Sequence, residues 1–289
     1  MALLDGKRVV VTGASRGLGR AFALGLAGAG AAVVINGTNA VLLEGVAEQI
    51  RAGGGTAVAV VGSVADDDVA GAIVARCVDE LGGIDAVVNN AGIVRDRTLL
   101  KMTPEEFDEV VAVNLRGTWS VSRHAARAMK DAGGGLLLQV VSGSGFVGSV
   151  GQTNYAASKA GVLGMLYAWD VELRRFGIRV NALWPIATTD MTQVVFDLAE
   201  HRAEATGATV PTAAQMGFGR PEDVAPVVVY LCSDRAARLR SQLIAFNGSK
   251  LAVWQHPRER EVHRQDGWTI DELDAVLTHA DEQVHVPER

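Results

Sequence analysis

The sequence predicts an α/β fold: a doubly wound parallel sheet of seven strands with helices on both faces. Three observations support this fold class. Short runs rich in β-branched residues alternate with longer helical patterns along most of the chain. The short runs are apolar almost throughout, as expected for strands that helices cover on both faces. A glycine-rich turn directly follows the first run and opens the first helical pattern.

The seven apolar runs are the predicted strands, and six helical patterns lie between them. We expect strands at residues 7–12, 32–36, 56–61, 84–89, 136–141, 178–183 and 242–246. We expect helices at residues 18–27, 40–51, 66–81, 104–130, 153–176 and 221–232. One helix start carries a clear signal, because Thr103 can cap a helix that begins with Pro104, and Glu106 completes a capping box. The alternation predicts right-handed crossovers between parallel strands.

Length and composition limit the class of protein. A chain of 289 residues, 48% of them hydrophobic, fits one large α/β domain or two small ones. The formal net charge of −6 disfavours a nucleic-acid partner. Cys77 and Cys232 form no C-x-x-C pair, which suits a reducing compartment. There is no apolar run long enough for a membrane span, and residues 1–8 do not resemble a signal peptide. We therefore expect a soluble, cytoplasmic protein.

The C-terminal residues differ in composition from the rest. Residues 250–289 contain nine acidic and five basic side chains, a net charge of −4. We interpret residues 1–249 as the doubly wound domain and residues 250–289 as an extension with one short helix, capped by Thr269 and Glu272. Trp254 and Trp268 are expected to pack the extension onto a neighbouring surface. Its histidines lack the compact spacing of a zinc site, so no metal is predicted. They are His256, His263, His279 and His285.

The glycine-rich turn predicts a dinucleotide site. It reads Thr12-Gly13-Ala14-Ser15-Arg16-Gly17-Leu18-Gly19. Gly13 permits a tight turn, Gly17 lets the backbone approach a pyrophosphate, and Gly19 lets the helix pack close to the strand. The helix start at Leu18 presents free N–H groups and a partial positive charge to phosphates. Such a turn can also be a plain tight connection, but its place after the first strand favours a nucleotide.

The end of the second strand bears on which dinucleotide binds. An Asp or Glu there would bind the adenosine ribose diol and repel a 2′-phosphate. The chain instead has Asn36-Gly37-Thr38-Asn39, and Arg16 could face a phosphate. We therefore expect contacts from Gly37 and Thr38, and we favour NADP(H) over NAD(H). In the alternative, Arg16 is a solvated loop charge and Asn36 or Asn39 binds the diol.

Proton-transfer chemistry is indicated by the segment from Ser142 to Lys159. Tyr155 precedes Lys159 by four residues, which puts both side chains on one helix face. Tyr155 could protonate a carbonyl oxygen or take a proton from an alcohol. The Lys159 ammonium, with an oxidised nicotinamide, would lower the pKa of Tyr155 from its ordinary value near 10. Ser142 could hold the substrate oxygen, with Ser144 as the alternative.

Together these motifs resemble the short-chain dehydrogenase/reductase family over roughly residues 5–250. The matching motifs are Thr12-Gly13-x-x-x-Gly17-x-Gly19, Asn89-Asn90-Ala91-Gly92, Asn114, Ser142 and Tyr155-x-x-x-Lys159. The resemblance implies a Rossmann fold and an enzyme that interconverts a secondary alcohol and a ketone with a nicotinamide cofactor. It implies that Lys159 binds the nicotinamide ribose and that Asn114 anchors a water linking Lys159 to solvent. The interval of thirteen residues to Tyr155 favours Ser142 over Ser144.

The resemblance also suggests a substrate class. Residues 92–98, 113–117 and 185–192 look most like the dehydrogenase domain of multifunctional enzyme type 2. That subgroup oxidises 3-hydroxyacyl-CoA thioesters, which implies an acyl-thioester substrate. The expected lid, residues 190–211, carries apolar side chains that suit an acyl chain, but also a steroid or other bulky ring ketone. A non-catalytic, cofactor-bound sensor or scaffold is the alternative from another class.

The family pattern implies further cofactor contacts, with two departures from it. The contacts are Ser63, Val64, Asn90, Ala91, Gly92, Pro185, Ile186 and Thr188. Ser63 stands where the family often has Asp, which weakens contact with adenine, and Ile186 stands where many members have Gly. Of Thr188 and Thr189, one is expected to be only a helix cap. Family members commonly form tetramers through two long helices, here from Pro104 and Thr153, so a homo-oligomer (dimer or tetramer) is expected.

Overall fold

The computed structural model describes residues 2–254 and 268–278 of the chain. Its centre is a sheet with the strand order β3-β2-β1-β4-β5-β6-β7-β8. The strands are β1 (Arg8–Val11), β2 (Ala32–Gly37), β3 (Ala57–Val61), β4 (Ala86–Asn89), β5 (Gly135–Val140), β6 (Ile178–Pro185), β7 (Leu243–Phe246) and β8 (Leu251–Trp254). Strands β1 to β7 are parallel, and β8 pairs antiparallel with β7.

Along the chain, helices separate the consecutive parallel strands, and one more helix follows β8. They are α1 (Gly17–Gly28), α2 (Ala40–Ala52), α3 (Asp67–Leu81), α4 (Pro104–Val111), α5 (Thr118–Asp131), α6 (Ser144–Val147), α7 (Thr153–Leu173), α8 (Gln193–Thr206), α9 (Pro221–Cys232) and α10 (Ile270–Thr278). A π-helical segment, Ala112–Gly117, joins α4 to α5 without a break. Short 3₁₀ turns lie at Arg174–Phe176, Asp190–Thr192 and Asp234–Ala236.

Two apolar cores cover the two faces of the sheet. Side chains of α1, α2 and α9 fill one core, where Phe22, Leu43 and Val228 are fully buried. Side chains of α3, α5 and α7 fill the other, where Ile73 and Leu166 are among the fully buried residues. Because both faces are covered, the strands are apolar almost throughout.

The doubly wound fold class is confirmed, and the seven predicted strands are all present. The prediction of only seven strands was wrong by one, because β8 extends the sheet beyond β7. Asn247 holds the turn between them, since its Oδ1 accepts the backbone N–H groups of Ser249 and Lys250. The compact unit that contains the sheet extends through Trp254, and the domain boundary at residue 249 stays a prediction.

Residues 255–289 form a separate unit of which the structure describes residues 268–278. The helix there runs Ile270–Thr278, and its capping box is present: Thr269 Oγ1 accepts the N–H of Glu272, whose carboxylate accepts the N–H of Thr269. That this unit is an extension rather than a second domain stays a prediction.

The order of the strands places a crevice at one edge of the sheet. From β1 the chain winds to β2 and β3 on one side, then returns to β4 on the other. In such sheets ligands bind beyond the carboxyl ends of the strands at this switch point. The glycine-rich turn follows β1, and Asn90 follows β4, so both lie at the crevice.

Candidate active site

The four predicted catalytic residues come from three neighbouring segments. Tyr155 and Lys159 lie one turn apart on α7, with Lys159 Nζ 5.6 Å from the centre of the Tyr155 ring. Ser142 follows β5 and is near enough to Tyr155 for a hydrogen-bonding interaction. A Cβ added at Gly92 would lie 3.3 Å from Asn114 Oδ1 and 3.6 Å from Lys159 Nζ, so both groups flank Gly92.

The π-helical segment positions Asn114. A π turn inserts one extra residue into a helix and redirects the side chain it carries. Asn114 is fully buried, its Oδ1 accepts the N–H of Ile93 at 2.8 Å, and its Nδ2 donates to the Ile93 oxygen at 3.0 Å. Its Nδ2 also lies 3.3 Å from Ser158 Oγ. Asn114 therefore ties the loop after β4 to α7, and the predicted helix at 104–130 is continuous but has π-helical geometry over Ala112–Gly117.

Burial dominates the protonation of Tyr155. It raises the pKa of the phenol to about 12, and the charge of Asp96 acts in the same direction, while the interaction with Ser142 opposes both. Burial is the largest of these effects, because it disfavours the charged phenolate. The expected lowering of this pKa by Lys159 acting together with an oxidised nicotinamide stays a prediction. Tyr155 is held as the neutral phenol, the form that donates a proton.

Lys159 is buried at the base of the site. Burial lowers the pKa of its ammonium to about 8, so the group is still mostly charged at neutral pH. Its Nζ donates to the backbone oxygen of Val140 at 2.9 Å. This bond links α7 to the end of β5 and fixes the ammonium between the tyrosine and Gly92.

The glycine-rich turn has the shape of a phosphate cradle. Gly13 has a φ of +66°, and a Cβ there would lie 2.7 Å from the Cα of Ala91. A Cβ at Gly19 would overlap the backbone oxygen of Gly13, so only glycine lets the helix approach. Helix α1 starts at Gly17 with no side-chain cap, which leaves its first N–H groups available to an anion. Ser15 Oγ is buried without a hydrogen-bond partner. These features fit a dinucleotide.

Three residues at and just after the end of β2, where the adenosine ribose is expected, make structural contacts within the protein. Asn36 is buried, and its Nδ2 donates to the oxygens of Val60 and Gly62 at 3.0 Å each. Asn39 Oδ1 accepts the N–H of Leu42 and caps α2. Both asparagines proposed for the diol therefore have structural roles. Gly37 packs against Ser15, whose Oγ would overlap an added Cβ, so this position excludes a larger side chain.

Arg16 forms an ion pair that the sequence did not suggest. Its guanidinium lies 2.8 Å from a carboxylate oxygen of Asp190, and both side chains are 74% exposed. Asp190 begins the segment after β6 that leads to α8. The pair therefore connects the phosphate turn to the expected lid.

The adenine-side residues mainly stabilise the turn. Asn90 Nδ2 donates to the oxygens of Thr12 and Gly13 at 3.0 and 3.1 Å. The N–H groups of Asn90 and Ala91 both donate to Thr12 Oγ1. Asn90 and Ala91 therefore hold the glycine-rich turn in its shape through these bonds. Val64 is buried and would clash with any side chain at Gly117, whereas Ser63 is only half-buried and its Oγ accepts the N–H of Ala65.

The loop after β6 uses most of its polar groups internally. Ile186 donates its N–H to Phe246 and accepts the N–H of Gly219, so its backbone is engaged on both sides. Thr188 donates its N–H to the oxygen of Gly219. Thr189 is the N-cap of the turn Asp190–Thr192, which makes it the helix-capping threonine of the two. Pro185 ends β6 directly before this loop.

The expected lid is helical and partly apolar. Helix α8 and the turn before it present Met191, Val194, Val195 and Leu198 to solvent, each more than a third exposed. Phe196 turns inward and contacts Phe218 edge to face, with ring centres 5.2 Å apart. A pocket beneath the helix is lined by Thr188, Thr189, Gln193, Phe196 and Ala213. The apolar surface of the lid suits an apolar substrate but does not choose between a chain and a ring.

The sequence did not predict the hydrogen bonds that join Ser144, Gln152 and Asp96 near Ser142. Ser144 donates to Gln152 Oε1 at 2.8 Å, and Gln152 Nε2 donates to Asp96 at 3.1 Å. Ser144 and Gln152 lie inside the glycine-rich segment between Ser142 and Tyr155, which was the available signal. Asp96 is 56 residues from Gln152 along the chain, and nothing in the sequence pairs them.

Metal and membrane features can be stated for the described part of the chain. Among residues 2–254 and 268–278, no three His, Cys, Asp or Glu side chains are grouped to hold a metal ion. His256, His263, His279 and His285 lie outside the described residues. Within the same ranges no helix has the length and apolar character to cross a membrane.

The chain is similar to known dehydrogenases and reductases. The family model for short chain dehydrogenases matches residues 7–200. The hydroxyacyl-CoA dehydrogenase ChsB1 of Mycobacterium tuberculosis is 40% identical over 289 residues, covering 95% of this chain and 88% of that protein. The 3-oxoacyl-(acyl-carrier-protein) reductase FabG of Thermotoga maritima is 37% identical, covering 85% and 98%. The crystal structure of a short chain dehydrogenase from Mycobacterium avium matches with a TM-score of 0.82 and 36% identity, covering 96% and 95%.

Proposed function

Because the chain belongs to the short-chain dehydrogenase family, we propose that it interconverts 3-hydroxyacyl and 3-oxoacyl thioesters. It is an oxidoreductase that acts on CH–OH groups and uses a nicotinamide cofactor. The observation that carries the proposal is the grouping of Ser142, Tyr155 and Lys159 beside a phosphate-binding turn. The names of two relatives, a hydroxyacyl-CoA dehydrogenase and a 3-oxoacyl reductase, support the thioester as substrate.

The chain's own residues supply the proton transfer. Tyr155, neutral at physiological pH, donates its proton to the substrate carbonyl oxygen during reduction. Ser142 donates a second hydrogen bond to the same oxygen and holds it in front of the phenol. The Lys159 ammonium lies beside the phenolate that results and stabilises it. When bound, the cofactor supplies the hydride in reduction and accepts it in oxidation.

The preferred cofactor is proposed to be NADP(H), with NAD(H) as the alternative. No carboxylate follows β2, so nothing there repels a 2′-phosphate. Asn36 and Asn39 are both occupied by structural bonds, which weakens the alternative in which they bind a ribose diol. Arg16 is the cation within the turn, and its pairing with Asp190 is exposed enough to be exchanged for a phosphate.

A homo-oligomer, dimer or tetramer, remains part of the proposal. Helices α5 and α7 expose Trp119 and Val171, and α7 carries small side chains that permit close helix approach. These are Ala156, Ala157, Ala160, Gly161 and Gly164. Native mass spectrometry of the full chain would measure the assembly, and a monomer would refute it. A cytoplasmic location is likewise a proposal, consistent with the two free, buried cysteines.

A substrate screen tests the proposed function. Purified full-length protein is assayed with acetoacetyl-CoA, longer 3-oxoacyl-CoA esters and steroid ketones, each with NADPH and with NADH. The proposal predicts that the thioesters give the highest kcat/KM. A steroid preferred over every thioester would replace the substrate class, and cofactor binding without turnover of any ketone would favour a sensor or scaffold.

A further inference from the structure

We propose that Asp96, Gln152 and Ser144 form a hydrogen-bond chain that positions Ser142, and that the Asp96 carboxylate sets the direction of each bond in the chain. The inference rests on the proposed role of Ser142 in holding the substrate oxygen. Asp96, Gln152 and Ser144 are positioning residues in this account. They act on the substrate only through the hydroxyl of Ser142.

The chain runs through four side chains in contact. Gln152 Nε2 donates to Asp96 Oδ2 at 3.1 Å, and Ser144 Oγ donates to Gln152 Oε1 at 2.8 Å. The backbone N–H of Ser144 donates to Ser142 Oγ at 3.3 Å, and the two serine hydroxyls are 3.4 Å apart. Ser149 Oγ lies 3.2 Å from Ser144 Oγ on the outer side.

Donor and acceptor chemistry fixes the direction of these bonds. A carboxylate only accepts, so Asp96 requires Gln152 to present its NH₂ group. The carbonyl oxygen of Gln152 then faces Ser144, which must donate its hydroxyl hydrogen to it. Ser144 Oγ has only lone pairs left to offer Ser142. The hydroxyl hydrogen of Ser142 is therefore free to be donated, to Ser144, to Tyr155 or to a substrate oxygen.

Backbone contacts hold Asp96 in place opposite Gln152. The N–H of Arg97 donates to the oxygen of Gly151 at 2.8 Å. Buried Asn154 donates from Nδ2 to the oxygen of Arg95 at 3.0 Å. The loop that carries Asp96 is thus fastened to the segment of Gln152 on both sides.

The two arginines next to Asp96 do not compete for its carboxylate. Arg95 pairs with Glu109 at 2.7 Å, and Arg97 pairs with Glu106 at 3.2 Å. Gln152 is therefore the amide that Asp96 orients. The hydrogen-bond chain contacts the Ser142 hydroxyl through Ser144. A small displacement of a group that orients the substrate can change the rate strongly.

Exchanging the carboxylate and the amide between positions 96 and 152 tests the hydrogen-bond chain. In Gln152→Glu two carboxylates face each other, so the oxygen that receives Ser144 is displaced and kcat should fall roughly tenfold or more. In the double variant Asp96→Asn with Gln152→Glu, the new amide at position 96 donates to the new carboxylate at position 152, which again accepts from Ser144. We expect kcat to return to within about threefold of the unmodified protein.

The measurement uses the full chain with acetoacetyl-CoA and NADPH. The KM for the thioester and the Kd for NADPH should change less than about twofold in all variants, because the hydrogen-bond chain acts on the orientation of the substrate rather than on its binding. Thr153→Ala, an exposed neighbour on the first turn of α7, is the matched control and should leave kcat unchanged. A purely structural role would not separate kcat from KM in this way.

Two outcomes would overturn the inference. One is a double variant that stays as slow as Gln152→Glu while still binding NADPH. The other is a Gln152→Glu variant with unchanged kcat. Thermal unfolding gives a readout that needs no substrate: Gln152→Glu should lower Tm, and the double variant should restore it. Failure of the unmodified protein to reduce any thioester would instead defeat the proposed function, while the Tm cycle would still report on the chain.

Discussion

The Lys159 ammonium lies over the Tyr155 ring, 5.6 Å from its centre. Burial shifts the pKa values of the two side chains in opposite directions. The pKa of Tyr155 rises to about 12 and that of Lys159 falls to about 8, because burial disfavours the charged form of each. At neutral pH the pair is therefore a neutral phenol beside a mostly charged ammonium. That state is ready to donate a proton to a carbonyl oxygen.

Replacing Lys159 with Met should change how stability depends on pH. The pKa of Lys159 is lower in the folded state than in the unfolded chain, so the unfolded chain binds more protons between about pH 8 and pH 10. The unmodified protein therefore gains stability relative to Lys159→Met as pH rises through this window. Thermal unfolding at about pH 7, 8, 9 and 10 should show the Tm difference moving in favour of the unmodified protein by a few degrees.

Lys101→Met is the control for this prediction, because Lys101 is exposed. Its Tm difference from the unmodified protein should stay constant over the same pH range. A Tm difference for Lys159→Met that is equally constant would contradict the buried, shifted ammonium.

Removing the charge of Asp96 should ease the ionisation of Tyr155. The Asp96 carboxylate raises the pKa of the phenol, with Lys159 and Ser142 as the other groups that face it. Oxidation of an alcohol needs the phenolate, so the rate of 3-hydroxybutyryl-CoA oxidation should rise with pH. In Asp96→Asn this rise should move to lower pH, by up to about one unit.

The exposed carboxylate of Asp108 on α4 offers the comparison for Asp96. Asp108→Asn should leave the pH profile of oxidation where it is. A profile of Asp96→Asn that moves to higher pH, or does not move, would argue against the Coulombic effect of Asp96.

Arg16 should discriminate between the two dinucleotides. If it receives the 2′-phosphate, Arg16→Ala should weaken NADPH binding roughly tenfold and leave NADH binding within about twofold. Asp190→Asn frees Arg16 from its ion pair, so it should tighten NADPH binding by up to about fivefold, the range of an exposed pair. Isothermal titration calorimetry measures each Kd without turnover.

Arg20 provides the matched control, one helical turn beyond Arg16 on α1 and hydrogen-bonded to Gln49. Arg20→Ala should affect both dinucleotides little. Equal weakening of NADPH and NADH in Arg16→Ala would assign Arg16 to the turn rather than to the 2′-phosphate.

Trp254 should stabilise the site from the edge strand. Its ring stacks on Phe146 at 5.2 Å and lies 5.5 Å from Trp184. Phe146 belongs to the segment between Ser142 and Tyr155, so Trp254→Ala in the full chain should lower both Tm and kcat. Leu251→Ala, a more exposed residue of the same strand, should change both less. The reverse order would mean that the aromatic contact contributes little.

Much of the fold follows from local sequence patterns. Continuous apolar runs identified every parallel strand, because both faces of this sheet are buried. The edge strand β8 escaped prediction since it has one neighbour, is largely exposed and lies in an acidic, differently composed segment. The π turn at Asn114 escaped as well, because a single inserted residue hardly disturbs a helical pattern.

The site was predictable where its residues share a segment and less so where they meet through tertiary contacts. Tyr155 and Lys159 are one turn apart, so their proximity follows from helix geometry. The pairs Asp96–Gln152 and Arg16–Asp190 join distant parts of the chain. The rise of the Tyr155 pKa caused by burial could not be predicted, because the extent of burial depends on packing that one sequence does not reveal. The lowering expected from Lys159 together with an oxidised nicotinamide stays a prediction.

The rate of NADPH-dependent reduction of acetoacetyl-CoA by the unmodified protein and by Tyr155→Phe tests the central claim most directly. Phe keeps the ring and its packing but removes the hydroxyl that donates the proton. The account predicts turnover by the unmodified protein, a loss of at least about a hundredfold in kcat for Tyr155→Phe, and nearly unchanged NADPH binding. Turnover by Tyr155→Phe at the unmodified rate would contradict it.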